Sequence, residues 1–427
     1  MNHSVNLSSI WYETGAARET LDEFPADKSF DACVIGGGLA GLTTALELAE
    51  RGMSVIVLEA WRVGSGASGR NGGFVGNGFA LGYGDLCAKV GRDAAKKLYA
   101  LSRQGTEYVR TRISANDPSI KMGDGMLTAI RHKQGGMEAY ALTLHDELDE
   151  PVSFLPPDVL RGKLDSARYQ GAIYNKSAFH IQPLRYVLML TKLARKAGAV
   201  IVEECGAQSV EKSGAQFVVR TAQGTITAQH VIHCVSSLGG GLKNGISQAV
   251  LPVATYIAVT EPLVQSAIKT HAAIADTRRA GDYYRLVDEG RILWGGRITT
   301  RITEPSRLAE RMKGDMLSVY PQLGNPRMDY AWAGLMGYAV HKMPIILQTA
   351  DGQWHATAFG GHGLNTTALA GLLVSRAILD GDDEIRRFQP FGPAYTFGPL
   401  GRVGVQGSYW WMQLRDKWDE SGRPQKS

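Results

Sequence analysis

The chain has 427 residues, more than one hydrophobic core usually organises, so two domains are expected. Its apolar share of 44% and charged share of 20% are ordinary for a globular protein, and its net charge of +5 comes without a dense Lys/Arg stripe, which argues against nucleic-acid binding. No run approaches the roughly 20 apolar residues of a membrane span, the first residues show no secretion signal, and Cys33, Cys87, Cys205 and Cys234 form no CxxC pair, which suits a reducing cytoplasm and speaks against a zinc site or disulfide frame.

Asp31–Ile35 is a short apolar run of the kind a buried parallel strand shows. It leads into Gly36-Gly-Gly38-Leu39-Ala40-Gly41, then an Ala/Leu/Glu-rich helical stretch to Arg51, then a second apolar run, Val55–Leu58, ending at Glu59. Strand, glycine turn, helix, strand and acid make the complete dinucleotide fingerprint. Gly36 permits the turn, Gly38 lets the backbone approach a pyrophosphate, and Gly41 lets helix and strand pack closely. The helix N-terminus attracts the phosphates and Glu59 accepts from the adenosine ribose. The unit does not distinguish NAD from FAD.

The following stretch, Val63 to Phe74, carries five glycines and two serines around a central Arg70-Asn71. Here the chain resembles the D-amino-acid oxidase/sarcosine oxidase superfamily. The form Gly66-Ala67-Ser68-Gly-Arg70-Asn71-Gly72-Gly73 is most similar to gamma-glutamylputrescine oxidase and its relatives. The resemblance implies FAD, with this loop running under the flavin. It also implies cofactor roles for Ala60, Arg62 and Ser65 beside the loop, and for Gln208 on a hairpin (Gln208–Lys212, Phe217–Thr221, Gly224–Thr227) that cradles the adenine.

Toward the C-terminus, Trp354–Phe359 reads as a strand, Gly360-Gly361-His362-Gly363 as a tight loop and Leu364–Leu379 as a helix. In the superfamily this turn faces the flavin edge where negative charge collects on reduction, and preorganised donors there favour electron acceptance. The run Phe359 to Asn365 follows the sarcosine oxidase pattern, except that Asn365 stands where that branch has a lysine. Cys234-Val-Ser-Ser likewise replaces the usual Ala-Gly-Ala type of ending. Neither the Arg70–Asn71 loop nor Gly334–Tyr338 offers a His or Cys for covalent attachment, so non-covalent FAD is expected.

The resemblance covers nearly the whole chain and implies an α/β fold. A Rossmann-like FAD-binding domain would comprise residues 28–84, 180–244 and 330–385. A discontinuous α+β substrate domain built on an antiparallel sheet would comprise 85–179 and 245–329, with helices over Ala94–Ile113 and Gln134–Leu148. Residues 386–427 form a tail whose Tyr409–Trp418 stretch is amphipathic enough for packing on the body or for weak membrane contact.

Amine oxidation at a flavin needs a dry, apolar pocket that positions the neutral amine. Tyr256, Tyr283, Tyr284, Trp294, Trp332 and Tyr338 are candidate walls, and Tyr283 and Tyr284 must face opposite sides of a strand. His362, Tyr284 and Tyr256 are the candidate catalytic residues, although the tight turn gives His362 a structural use as well. Arg297, just past an apolar strand and Gly295-Gly296, is the candidate partner of a substrate carboxylate, with a surface ion pair as its plain alternative. The expected reaction is FAD-dependent oxidation of the C–N bond of a small carboxylate-bearing amine, by hydride transfer to flavin N5. Oxygen or a quinone takes the electrons, and no lysine between His271 and Met312 matches the one sarcosine oxidases use toward oxygen. Alternatives are an oxidase or dehydrogenase of a secondary amino acid such as pipecolate or sarcosine, and a non-catalytic flavin-binding protein.

Overall fold

The computed structural model describes residues 9–15, 18–132, 136–237, 242 and 246–420. Gln134, the expected boundary at 244/245 and the last seven residues lie outside them.

One eight-stranded sheet runs in the order Ile345–Gln348, Trp354–Thr357, Gly224–His233, Ser29–Ile35, Val55–Leu58, Val200–Val202, and the hairpin Ala207–Ser213/Gln216–Thr221 extends from Gly224–His233. Ser29–Ile35 pairs in parallel with Gly224–His233 and Val55–Leu58, and each of these pairs in parallel with its outer neighbour. Its central residues are buried on both faces, which explains the unbroken apolar run Ala32–Ile35. Ala32 and Val34 pack under the helices Leu39–Glu50 and Gly363–Asp380, while Cys33 and Ile35 pack on the hairpin side. Gly41 has no alternative: a Cβ there would lie 2.0 Å from Gly36 O. The expected α/β fold is present, and Gly224–Thr227, expected as the last run of the hairpin, is the start of a longer strand that continues to His233.

The second sheet has nine strands, in the order Met328–Tyr338, Leu251–Thr260, Arg291–Thr299, Tyr283–Val287, Ala273–Asp276, Lys121–Ala129, Ala172–Ile181, Phe74–Val75, with Val152–Leu155 also on Ala172–Ile181. It is antiparallel except where Ala273–Asp276 joins Lys121–Ala129. One face packs under helix Leu308–Val319 with Tyr256, Tyr284, Trp294 and Tyr320. The opposite face carries Ile257, Leu293 and Trp332 against Trp11 of the short helix Ile10–Thr14 and against Leu184.

Three strands of this sheet depart from the expected division, two of them by crossing a boundary. Phe74–Val75 falls inside the 28–84 segment, Ala172–Ile181 spans 179/180, and Met328–Tyr338 spans 329/330. Hydrogen bonding assigns Met328–Tyr338 wholly to the second sheet, where it pairs with Leu251–Thr260 along its length. The chain returns to the first sheet only at Ile345.

Candidate cofactor and active site

The C-terminal ends of Ser29–Ile35 and Val55–Leu58 deliver Gly36–Gly41 and Glu59 to one crevice, the place where open parallel sheets bind ligands. Glu59 is half-buried there. Its Oε2 accepts from Gly37 N at 2.7 Å and its Oε1 from Trp61 N at 2.9 Å. Burial raises its pKa against these bonds, which hold the charged form. Each oxygen keeps a further lone pair for a hydroxyl donor.

Helix Leu39–Glu50 begins after Gly38, which has no side chain to cap it. Ser68 serves instead, its Oγ accepting from Leu39 N at 3.0 Å. A Cβ on Gly38 would sit 2.9 Å from that Oγ and would displace it, so the loop and the helix start form one tight cradle. Asn71 shapes the loop from within: its Nδ2 donates to Ala67 O and Ser68 O, and its Oδ1 accepts from Gly73 N.

The loop is also fixed from outside. Trp11 Nε1 donates to Asn71 O and Trp332 Nε1 to Arg70 O, each at 2.9 Å. The Arg70 guanidinium reaches Ala333 O at 3.1 Å. Arg285, fully buried, donates to Gly72 O at 2.7 Å and Ile181 O at 2.8 Å, with its guanidinium 5.2 Å from the Trp11 ring centre. Burial lowers its pKa to about 9, so it remains charged at neutral pH. Arg285 and Gly72 are 213 positions apart in the chain, so no local pattern marks Arg285 as a brace of the loop.

The second glycine turn meets the crevice from the C-terminal side. Helix Gly363–Asp380 starts behind Gly360–Gly361 with no side-chain cap, leaving its first N–H groups directed outward. Asn365, buried, donates from Nδ2 to Gly78 O at 3.0 Å, which turns its Oδ1 toward His362 Nδ1, also at 3.0 Å. His362 therefore carries its proton on Nδ1 and keeps an Nε2 lone pair. Burial lowers its pKa, so the ring is neutral near pH 7.

A model of the FAD dependent oxidoreductase family matches residues 31–377. The chain belongs to that family. It is 33% identical over 384 residues to the probable oxidoreductase OrdL of Haemophilus influenzae, covering 87% of this chain and 88% of that protein. It is 31% identical over 416 residues to gamma-glutamylputrescine oxidoreductase of Escherichia coli, covering 93% and 94%. Among solved structures it resembles glycine oxidase from Geobacillus kaustophilus, with a TM-score of 0.72, 19% identity and coverage of 86% and 99%.

The enzyme is FAD-dependent, and the crevice fits that cofactor: a glycine cradle closed by Ser68 at one helix start, a second helix start without a side-chain cap at Gly363, and an acid at the second strand end. Gly36–Gly41 with Ser68 would hold the pyrophosphate, Glu59 the ribose, and the turn Gly361–Leu364 the pyrimidine edge of the flavin. Bound there, FAD supplies a two-electron acceptor. Gly66, Ala67, Arg70, Gly72 and Gly73 lie along the intervening loop, and Ser65 is buried beneath it. Ala60 lies against Gly206, where a Cβ would come within 3.2 Å. Arg62 is exposed, as is Gln208, which stands at a bulge in its hairpin.

The second sheet turns one face to this crevice. A Cβ on Gly72 would lie 2.9 Å from the Tyr283 ring, and one on Gly361 would lie 2.8 Å from Tyr338 Oη. Tyr283 and Tyr338 thus belong to the cofactor side, and burial raises both phenol pKa values, that of Tyr283 to about 12. Gly295 is glycine because the Tyr283 ring fills the space its side chain would need, 2.1 Å from a Cβ.

Several expected pocket residues are elsewhere. Tyr284 stacks on Trp294 with ring centres 4.3 Å apart, and its hydroxyl meets those of Tyr169 and Tyr320 at 2.8 Å each. Tyr256 faces the same core, under the helix Leu308–Val319. None of these three reaches the crevice, so Tyr284 and Tyr256 are withdrawn as catalytic candidates and Trp294 as a wall. Strand alternation decides this: odd-numbered Tyr283 faces the cofactor side and its neighbour faces away. Trp332 is on the cofactor side, but it is packed on Trp11 at 6.4 Å and committed to Arg70 O. Arg297 is the clearest correction. Its guanidinium forks onto Asp315 of the covering helix, with Nη2 to Oδ1 at 2.9 Å, and it stands on the far face from the crevice.

Proposed function

We propose that this flavoenzyme oxidises the C–N bond of a small amine of the gamma-glutamylputrescine class. The reading is supported by 31% identity over an alignment that covers 94% of the Escherichia coli oxidoreductase of that name. The observation that carries it is the apposition of Tyr283 to Gly72 of the loop and of Tyr338 to the Gly360–Gly361 turn, which makes an aromatic wall opposite the flavin site. Such a wall holds the apolar chain of an amine and excludes water from the reacting carbon. The neutral His362, with a free Nε2 lone pair, is suited to accept a proton from the substrate ammonium as the amine is made reactive. Four free thiols fit a cytoplasmic enzyme. Among the described residues no helix is long and apolar enough to cross a membrane.

Anaerobic mixing with a panel of amines and amino acids tests the reading through bleaching of the flavin absorbance. Gamma-glutamylputrescine or a close analogue should bleach it fastest. Faster bleaching by pipecolate, sarcosine or glycine would replace the substrate class, and no bleaching by any amine would end it. Electrons pass to dioxygen in this proposal, so aerobic turnover should yield hydrogen peroxide. Reduction of a quinone analogue without peroxide would replace dioxygen with a quinone. The FAD is held without a covalent bond, so acid precipitation should leave the yellow colour in the supernatant.

A further inference from the structure

Helix Gly398–Glu420 is attached to the body by its polar face. Gln406 Oε1 accepts from Thr299 Oγ1 at 2.6 Å, and Arg402 donates to Thr300 O at 2.9 Å. Asp416 and Asp419 both pair with Arg279 at 2.8 Å, and Glu420 pairs with Arg131 at 2.9 Å. All three acids of the helix are therefore used inward.

The outward face is apolar. Leu400, Val403, Trp410, Trp411, Leu414 and Trp418 are each at least 52% exposed. At about 100° per residue these six fall within one arc of roughly 100°, a stripe about 27 Å long. Arg415 and Lys417, both exposed, border it on opposite sides. A surface helix normally buries its apolar stripe and exposes its charges. This one does the reverse, and exposed patches of this kind mark an interaction site.

We propose that this helix lies flat on an anionic lipid bilayer, with its tryptophans at the headgroup level and its two basic edges against lipid phosphates. Charge decides the occupant. The only outward charges along the stripe are basic, as an anionic surface requires. A second copy docked helix to helix through the same face would bring no acid to Arg415 and Lys417, because Asp416, Asp419 and Glu420 face inward. Tryptophan and leucine beside basic residues are the side chains interfacial helices use. The inference is independent of the amine substrate.

Flotation of the FAD-loaded full chain with vesicles tests it. The protein should float with phosphatidylcholine vesicles containing phosphatidylglycerol and at least tenfold less with phosphatidylcholine alone. Trp410→Ser with Trp411→Ser should reduce flotation at least tenfold while leaving flavin content and turnover unchanged, since both side chains are exposed. Arg415→Glu with Lys417→Glu should remove the preference for the anionic lipid. Wild-type protein that stays unbound at every vesicle composition overturns the proposal. So does a dimer in light scattering that the tryptophan double variant converts to monomer, because the face then belongs to a second copy.

Discussion

Arg285 donates from Nη1 to Nδ1 of His180 across 2.6 Å, so this buried imidazole has to be neutral, with its Nε2 proton given to His271 O at 2.6 Å. The same guanidinium holds Gly72 O and Ile181 O, which ties the flavin-side loop to the second sheet. Lysine offers a single point charge in place of this fork. Arg285→Lys should therefore lose donors to at least one buried acceptor, at about 1.5–3 kcal/mol, and weaken FAD binding tenfold or more. Titration of apoprotein with FAD measures it. Unchanged affinity would confine the clamp to the fold.

Acid should destabilise the protein through its buried histidines. Burial first, and then Arg285, lowers the His180 pKa to about 3, while burial and the stacked His233 lower that of His355 to about 3. The unfolded chain titrates near the ordinary value and binds more protons between pH 6.5 and 3, so stability falls as pH drops through that window. Each histidine should remove about 2 kcal/mol between pH 7 and 5. Urea unfolding across that range checks the slope, and His355→Gln should make it shallower. An equal slope in the variant would show that His355 is protonated as easily folded as unfolded.

Arg297→Ala should leave amine capture unchanged. The pair with Asp315 is partly exposed, so its loss should lower stability by no more than about 1 kcal/mol. Steady-state kinetics should show KM and kcat within twofold of the parent. A tenfold rise in KM confined to carboxylate substrates would return Arg297 to the pocket.

The two adjacent tyrosines should separate cleanly. Tyr284→Phe removes a hydroxyl bonded to Tyr169 and Tyr320, and should lower stability by about 1–2 kcal/mol with kcat preserved. Tyr283→Phe should change kcat or KM while leaving the unfolding midpoint nearly unaltered. The reverse pattern would mean that the sheet faces are assigned the wrong way round.

Gly38→Val should yield folded but colourless protein, because the new side chain enters the cradle shared with Ser68. Absorbance at the flavin band beside circular dichroism reads both properties. Retained FAD at full occupancy would move the pyrophosphate elsewhere.

What could be read from sequence follows from range. Gly36–Gly41 and Glu59 are a local pattern whose physics is complete within about thirty residues, and the same holds for the glycine turn before Gly363. The pairing of Tyr283 and Tyr284 to opposite faces was legible, but which face looks at the flavin was not. That depends on Gly72 and Gly295 meeting the ring from remote strands. Arg297 misled because a cation beyond two glycines looks the same whether its acid is a ligand or Asp315. The expected boundary at 329/330 falls inside Met328–Tyr338 because its apolar, glycine-containing run fits either sheet, and only its register with Leu251–Thr260 shows which sheet it joins.

Trp11, seated beneath the Arg70–Asn71 loop, has a consequence for the order of assembly. Its partners there include Trp332 and Arg285, and Trp332 is bonded to a loop residue 262 positions earlier. During synthesis the loop emerges long before the strands that brace it, and closing such distant contacts is slow. The loop is braced only after nearly the whole chain has left the ribosome, so cofactor capture belongs to the last stage of maturation.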